Sequence, residues 1–239
     1  MFNPVELAKE TESIVCRNSD KKFYSFEPSK SYGGIATADC VGCCLRCAFC
    51  KSWKTVEKPE DCGEFCKPKD VADQLIKMAR ENSFKQVRLS GNEPTLGWQH
   101  LLKVLKYLKD SKLDVIIETN GIILGCDLSY ARELAEFKDI VRVRVSIKGA
   151  TPSEFSKLTG AEPRFFEYQI EALKNLKQAG VPAYPAVMVS FSNQDSLENL
   201  RNRLETIDPS FFDFEEEELE ISEGVRERLE KVGVVFKKA

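Results

Sequence analysis

The sequence predicts an α/β fold, a partial parallel β/α barrel of about six units, on three observations. Strand-like and helix-like patterns alternate about six times along 239 residues, which implies parallel strands joined by right-handed helical crossovers. Eight such units close a barrel in roughly 250 residues, so six imply an open one. No repeat, low-complexity linker or composition shift divides the chain. Residues 33–239 are therefore expected to form one core ending in a helix and a strand, with residues 1–32 an N-terminal extension packing on it.

Each element has its own signal. After a polar opening, Ile35 to Ala38 reads as the first strand. Lys69 to Asn82 carries Val71, Leu75, Met78 and Ala79 at helical spacing. Gln86 to Ser90 alternates as a strand and stops at Gly91; Leu101, Leu105 and Leu108 then mark a helix over Trp98 to Asp110. Leu113 to Thr119 is a strand ending in Asn120-Gly121, followed by a helix with Leu128, Ala131, Leu134 and Ala135 on one face. Val141 to Lys148 is a strand, and Arg164 to Gln178 a helix that Gly180 is placed to end. Val181 to Ser190 is the next strand, marked as an edge or an irregular one by Pro182 and Pro185. Leu197, Leu200, Leu204 and Ile207 define another helix. Glu215 to Glu218 reads as a solvated face or docking edge, Val225 to Lys231 as a helix and Val232 to Phe236 as the last strand.

Composition excludes several classes. There are 35 basic and 38 acidic residues, a net charge of -3, so no nucleic-acid partner is expected. No apolar run approaches the roughly 18 residues of a membrane span. The opening Met1-Phe2-Asn3-Pro4 has neither the basic nor the apolar segment of a secretory signal. The single histidine, His100, is expected at the surface on a helix flank.

The strand faces are informative. Arg88 and Ser90, then Glu118 and Asn120, then Arg142, Arg144, Ser146 and Lys148, alternate with apolar residues. Period 2 gathers each set on one face. With the apolar face under helices, the polar face lines a cavity; the alternative is an exposed face on a poorly covered sheet. Residues at strand C-ends, Ser90, Asn120, Lys148 and Ser190, then sit at the mouth. Basic residues outnumber Glu118 there, so Arg88, Glu118, Arg142 and Arg144 are candidate substrate contacts for a guest with a carboxylate or phosphate.

Nine cysteines are the outstanding feature. Cys40, Cys43, Cys44, Cys47, Cys50, Cys62 and Cys66 fall in one stretch, with Cys16 and Cys126 outside it. Such crowding suits convergent thiolates in a reducing, cytoplasmic setting better than a disulfide framework. Cys43, Cys47 and Cys50 obey C-x3-C-x2-C, with Phe49 just before the last cysteine. Cys40 or Cys44 could add a fourth thiolate, making a closed zinc or electron-transfer site.

The C-x3-C-x2-C spacing behind a strand resembles the radical S-adenosylmethionine (radical SAM) enzymes, in particular the branch around pyruvate formate-lyase activating enzyme. The resemblance implies that Cys43, Cys47 and Cys50 hold a 4Fe-4S cluster whose fourth iron stays open for S-adenosylmethionine, which is cleaved to a 5′-deoxyadenosyl radical. Ser90-Gly91-Asn92-Glu93-Pro94-Thr95 resembles the family's Gly-Gly-Glu-Pro-like turn, implying that its carbonyls and Glu93 accept from the methionyl ammonium. Glu118-Thr119-Asn120-Gly121 matches a strand terminus of the family. Lys148 corresponds to the lysine that meets the cofactor carboxylate, and Ser146 stands where a ribose-binding aspartate is usual. Phe49, Met188 and Ser190 are candidates for the adenine and ribose side. Cys62 and Cys66 are candidates for a second cluster or metal. Implied partners are a reductant such as ferredoxin or flavodoxin and either a protein, as in glycyl-radical activation, or a small anionic molecule, as in compact 7-carboxy-7-deazaguanine synthases. A non-enzymatic four-cysteine metal protein is the third reading.

Overall fold

The computed structural model describes residues 1–234. In chain order it contains α1 (Pro4–Val15), β1 (Cys16–Arg17), β2 (Asp20–Ser29), β3 (Ile35–Cys40), α2 (Trp53–Glu57), β4 (Glu64–Cys66), α3 (Pro68–Glu81), β5 (Gln86–Gly91) and α4 (Trp98–Leu108). There follow β6 (Asp114–Thr119), α5 (Ile122–Cys126), α6 (Leu128–Leu134), β7 (Val141–Ile147), α7 (Pro152–Thr159), α8 (Phe166–Ala179), β8 (Ala183–Met188), α9 (Gln194–Glu205), β9 (Glu215–Glu217) and α10 (Glu223–Lys231).

All nine strands belong to one open sheet. Its body is the parallel run β3-β5-β6-β7-β8-β9, a partial barrel of six strands as the alternation predicts. Burial explains the arrangement. Val87, Leu89, Val115, Ile117, Val143 and Val145 pack in a single core with Leu75 of α3, Leu105 of α4 and Leu173 of α8. The alternate, polar residues are thereby turned to the concave side.

Residues 1–32, expected as an extension, supply α1 and a hairpin whose second strand, β2, pairs antiparallel with β3 and β4. Three expectations need correction. The sixth parallel strand is the glutamate run, paired with β8 through Ala186↔Glu215 to Met188↔Glu217. Three carboxylates in a row imitate a solvated stretch, but the barrel's own cations neutralise two of them. Val232 to Val234 follow α10 as turn and coil, and the rest of the expected last strand, residues 235–236, lies outside the described residues. Finally, β8 is not an edge but lies between β7 and β9. Pro185 is tolerated because β9 covers only Ala186 to Met188 of β8, leaving the strand's outer side open at the proline.

Candidate active site

The cysteine loop between β3 and α2 is held by backbone bonds from several directions. Asn92 N–H donates to the Cys40 carbonyl at 3.2 Å, Glu93 N–H to Gly42 at 3.0 Å, and the Asn92 side chain accepts from Gly42 N–H at 2.9 Å. Arg46 and Ala48 N–H groups donate to Thr159 and Leu158 at 3.1 and 2.8 Å. Across the loop, Arg228 of α10 donates to the carbonyls of Ala48 (3.1 Å) and Cys50 (2.6 Å), while Val225 and Leu229 pack with Ala48, Phe49 and Met188.

A cavity of about 700 Å³ opens beside this loop. Cys43, Cys47 and Cys50 line it together with Phe49, Ser90, Gly91, Asn92, Asn120, Ser146, Lys148 and Met188. The expected substrate contacts Arg88, Glu118 and Arg144 line it too, as do Tyr32 and Glu215 to Glu218. Cys40 and Cys44 do not; both are buried in the core, so neither is placed as a fourth ligand within the cavity.

The thiols differ in environment. Burial pushes Cys50 up to about 11 and Cys47 further still, with Cys43 close enough to both to add repulsion. Cys43 is lowered by a hydrogen bond from the Cys44 thiol, which rises correspondingly. Asn120 Nδ2 adds a contact of 3.5 Å to Cys43 Sγ. Three mutually close, soft donors around one cavity suit an iron–sulfur cluster. Among the described residues no three His, Cys, Asp or Glu side chains already converge on a metal position. Cys62 is buried against Val15 and Val41, whereas Cys66 sits on β4 opposite Lys21, so the pair considered for a second cluster takes separate surroundings.

The turn after β5 departs from expectation at one residue. Gly91 has φ 91°, and a Cβ there would fall 2.7 Å from Cys40 N; only glycine lets β3 and β5 approach so closely. Glu93, expected to face an ammonium, is fully buried behind the cavity. Its carboxylate accepts from Thr95 N–H (3.1 Å) and hydroxyl (2.7 Å), the Thr119 hydroxyl (2.7 Å) and Asn120 N–H (2.8 Å). It staples the β5 turn to the end of β6, and it does not line the cavity.

The cavity floor is a chain of ion pairs. Arg88 meets Glu118 at 3.2 Å, and Glu118 also accepts from Ser90 Oγ and Tyr32 Oη, both at 2.6 Å. Arg144 grips Glu215 with two bonds (2.7 and 3.0 Å) and Glu217 with one (2.6 Å). Ser146 Oγ donates to Glu217 at 2.7 Å, and Lys148 Nζ lies 3.4 Å from the same carboxylate. Burial opposes the Glu217 charge, but Lys148 and Arg144 prevail and hold its carboxyl down to about 2. Burial likewise opposes the Lys148 charge, and Glu217 and Cys47 outweigh it, so Lys148 stays above the usual lysine range.

Arg88 and Arg144, two of the cations behind the expected anionic guest, thus already have carboxylate partners in the cavity. Two further residues fall outside the cavity. Arg142, near the start of β7, is exposed below the floor, and Ser190 is exposed beyond β8, its hydroxyl accepting from Leu219 N–H at 2.8 Å. Residues that pattern alone does not flag are Tyr32, Glu215, Glu217, Arg228 and Gln169. Gln169 is fully buried and donates to the carbonyls of Asn120 (2.7 Å) and Ser146 (3.0 Å), tying the ends of β6 and β7 together. The period-2 spacing of Glu215 and Glu217, matching Arg144 and Ser146, is the signal that could have found the acidic wall.

Comparison with known proteins agrees with this geometry. The chain is 29% identical over 157 residues to a probable GTP 3′,8-cyclase of Saccharolobus islandicus, covering 65% of this chain and 47% of that one. It is 28% identical over 162 residues to the corresponding protein of Sulfurisphaera tokodaii, covering 67% and 48%. The chain thus spans about half the length of these curated relatives. Its fold is similar to Streptococcus suis SuiB bound to S-adenosylmethionine (TM-score 0.60, 17% identity, 81% of this chain and 45% of that one). It is also similar to a radical SAM methyltransferase from Sphaerobacter thermophilus (TM-score 0.55, 13% identity, 81% and 67%). The family model described as the Radical SAM superfamily matches residues 39–204, a span that runs from the end of β3 into α9 and takes in the cysteine loop. The chain belongs to the radical SAM superfamily, whose members use a 4Fe-4S cluster and S-adenosylmethionine.

Proposed function

We propose that this radical SAM protein abstracts a hydrogen atom from a polar substrate of low net charge held over the barrel floor, and that the substrate is a peptide backbone, as in activating-enzyme chemistry. When bound, the cluster and S-adenosylmethionine supply one-electron cleavage of the sulfonium and the radical that takes the hydrogen. The chain's own residues do the rest. Cys43, Cys47 and Cys50 would hold the iron. Ser90, Gly91 and Asn92 would meet the methionyl amino end, Lys148 its carboxylate, Ser146 and Asn120 the ribose side, and Phe49 and Met188 the adenine. A ferredoxin or flavodoxin would deliver the electron.

The observation that carries the substrate class is the pairing of the arginines on the floor, Arg88 with Glu118 and Arg144 with Glu215 and Glu217; Lys148, 3.4 Å from Glu217, is the cation given to S-adenosylmethionine. A polyanion would have to set its own charge against these carboxylates. Intact, the arginine pairs present donors and acceptors with no cation to spare, which suits amide groups. The relatives named as GTP 3′,8-cyclases point to a nucleotide, but the acidic wall does not favour a triphosphate.

The test supplies reduced, reconstituted enzyme with deuterated cell extract separated by size, and measures deuterium in 5′-deoxyadenosine. The proposal expects transfer from the macromolecular fraction. Transfer confined to a small anionic fraction would overturn it.

A further inference from the structure

The β5 turn presents Ser90, Gly91 and Asn92 to the cavity, and its other side is held by a residue some seventy positions earlier. Lys21 of β2 is 1% exposed. Its ammonium donates to the carbonyls of Glu93 at 2.8 Å and Pro94 at 3.2 Å, and to that of Leu96. All three acceptors are backbone oxygens of one turn. A buried cation is costly unless it is hydrogen-bonded, so the contact fixes where those carbonyls point. The Glu93 carboxylate grips Thr95, Thr119 and Asn120, and the turn is therefore clamped by one buried charge of each sign. Lys22, on the opposite face of the same strand, does the parallel job for the segment after the cysteine loop, donating to Pro59 (3.1 Å) and Glu60 (2.6 Å) carbonyls.

We infer that Lys21 is a positioning residue for S-adenosylmethionine. By drawing the Glu93, Pro94 and Leu96 carbonyls toward β2, it leaves Ser90 to Asn92 as the ligand-facing edge. The N-terminal hairpin is in this way part of the cofactor site without touching the cofactor. The inference rests on the reading that this turn meets the methionyl end.

The experiment measures S-adenosylmethionine affinity, iron content and amide exchange on anaerobically reconstituted protein. Lys21→Met should bind at least about tenfold more weakly, as expected for lost charge-assisted hydrogen bonds, with iron content kept. Lys21→Gln, which can still donate to two carbonyls, should fall between Lys21→Met and wild type. Affinity of Lys21→Met within twofold of wild type overturns the inference; if that variant does not fold, wild-type affinity in Lys21→Gln does so. In wild type, added S-adenosylmethionine should slow exchange across residues 90–96. If it does not, the reading of the turn fails; if it does while Lys21→Met binds normally, only the role of Lys21 fails.

Discussion

Glu217 sets the charge balance of the cavity. Folding lowers its carboxyl to about 2, while an unfolded glutamate titrates near 4.3. The pairing therefore contributes fully above about pH 4.3 and is lost as pH falls toward 2, a contribution of about 3 kcal/mol. Glu217→Gln should lower the unfolding free energy at pH 7 by roughly that amount and flatten the acid limb of urea unfolding between pH 4.3 and 2; an unchanged limb contradicts the assignment. His100 acts at a different pH. It is buried, its Nδ1 lies 2.8 Å from the Ser19 carbonyl, and burial lowers it to about 4. The unfolded imidazole takes its proton first, near pH 6.5, so this stability is complete above that pH and declines down to about 4. His100→Gln should lose the slope in that interval, and an identical slope in the variant would count against it. The helical pattern alone puts His100 on a polar flank. What buries it is the β1–β2 hairpin, whose lysines disguise a strand that packs inward at Phe23.

At the scale of elements, two contacts decide whether the site stays assembled. Helices α5 and α8 touch at Gly125, where a Cβ would lie 1.8 Å from the Tyr168 carbonyl oxygen. Neither backbone can yield without shifting its helix, so Gly125→Ala should destabilise by at least about 3 kcal/mol in denaturant unfolding; a loss under 1 kcal/mol contradicts that packing. Helix α10 holds the cysteine loop through Arg228, whose guanidinium also stacks 4.8 Å from the Trp53 ring. Arg228→Ala should begin with wild-type iron but lose cluster absorbance several-fold faster in air, and an equal decay rate would deny the clamp. The strands β5, β6 and β7 are legible in the sequence because Val and Ile alternate with polar residues at period 2. Strand β9 is not, because Glu215 to Glu217 resemble solvent-facing residues until Arg144 and Lys148 are placed opposite them. The motif residues are legible because chemistry fixes their spacing. Glu93 misleads because the turn uses its carboxylate for its own support.

Over the whole molecule, six parallel strands and the antiparallel β1, β2 and β4 form one sheet whose concave side carries the cavity. Among the described residues no helix is long and apolar enough to cross a membrane. The barrel's halves contribute differently: the N-terminal strands supply the cysteine loop and the β5 turn, and the C-terminal ones supply the charged wall. Central to the proposed chemistry is that Cys43, Cys47 and Cys50 hold one cluster open to S-adenosylmethionine in this cavity. The most direct measurement is the electron paramagnetic resonance spectrum of the reduced, reconstituted protein before and after adding S-adenosylmethionine, for wild type and Cys47→Ala. Wild type should give a 4Fe-4S signal that changes on addition, and Cys47→Ala should give none. A wild-type signal indifferent to S-adenosylmethionine, or a full signal in Cys47→Ala, would contradict it.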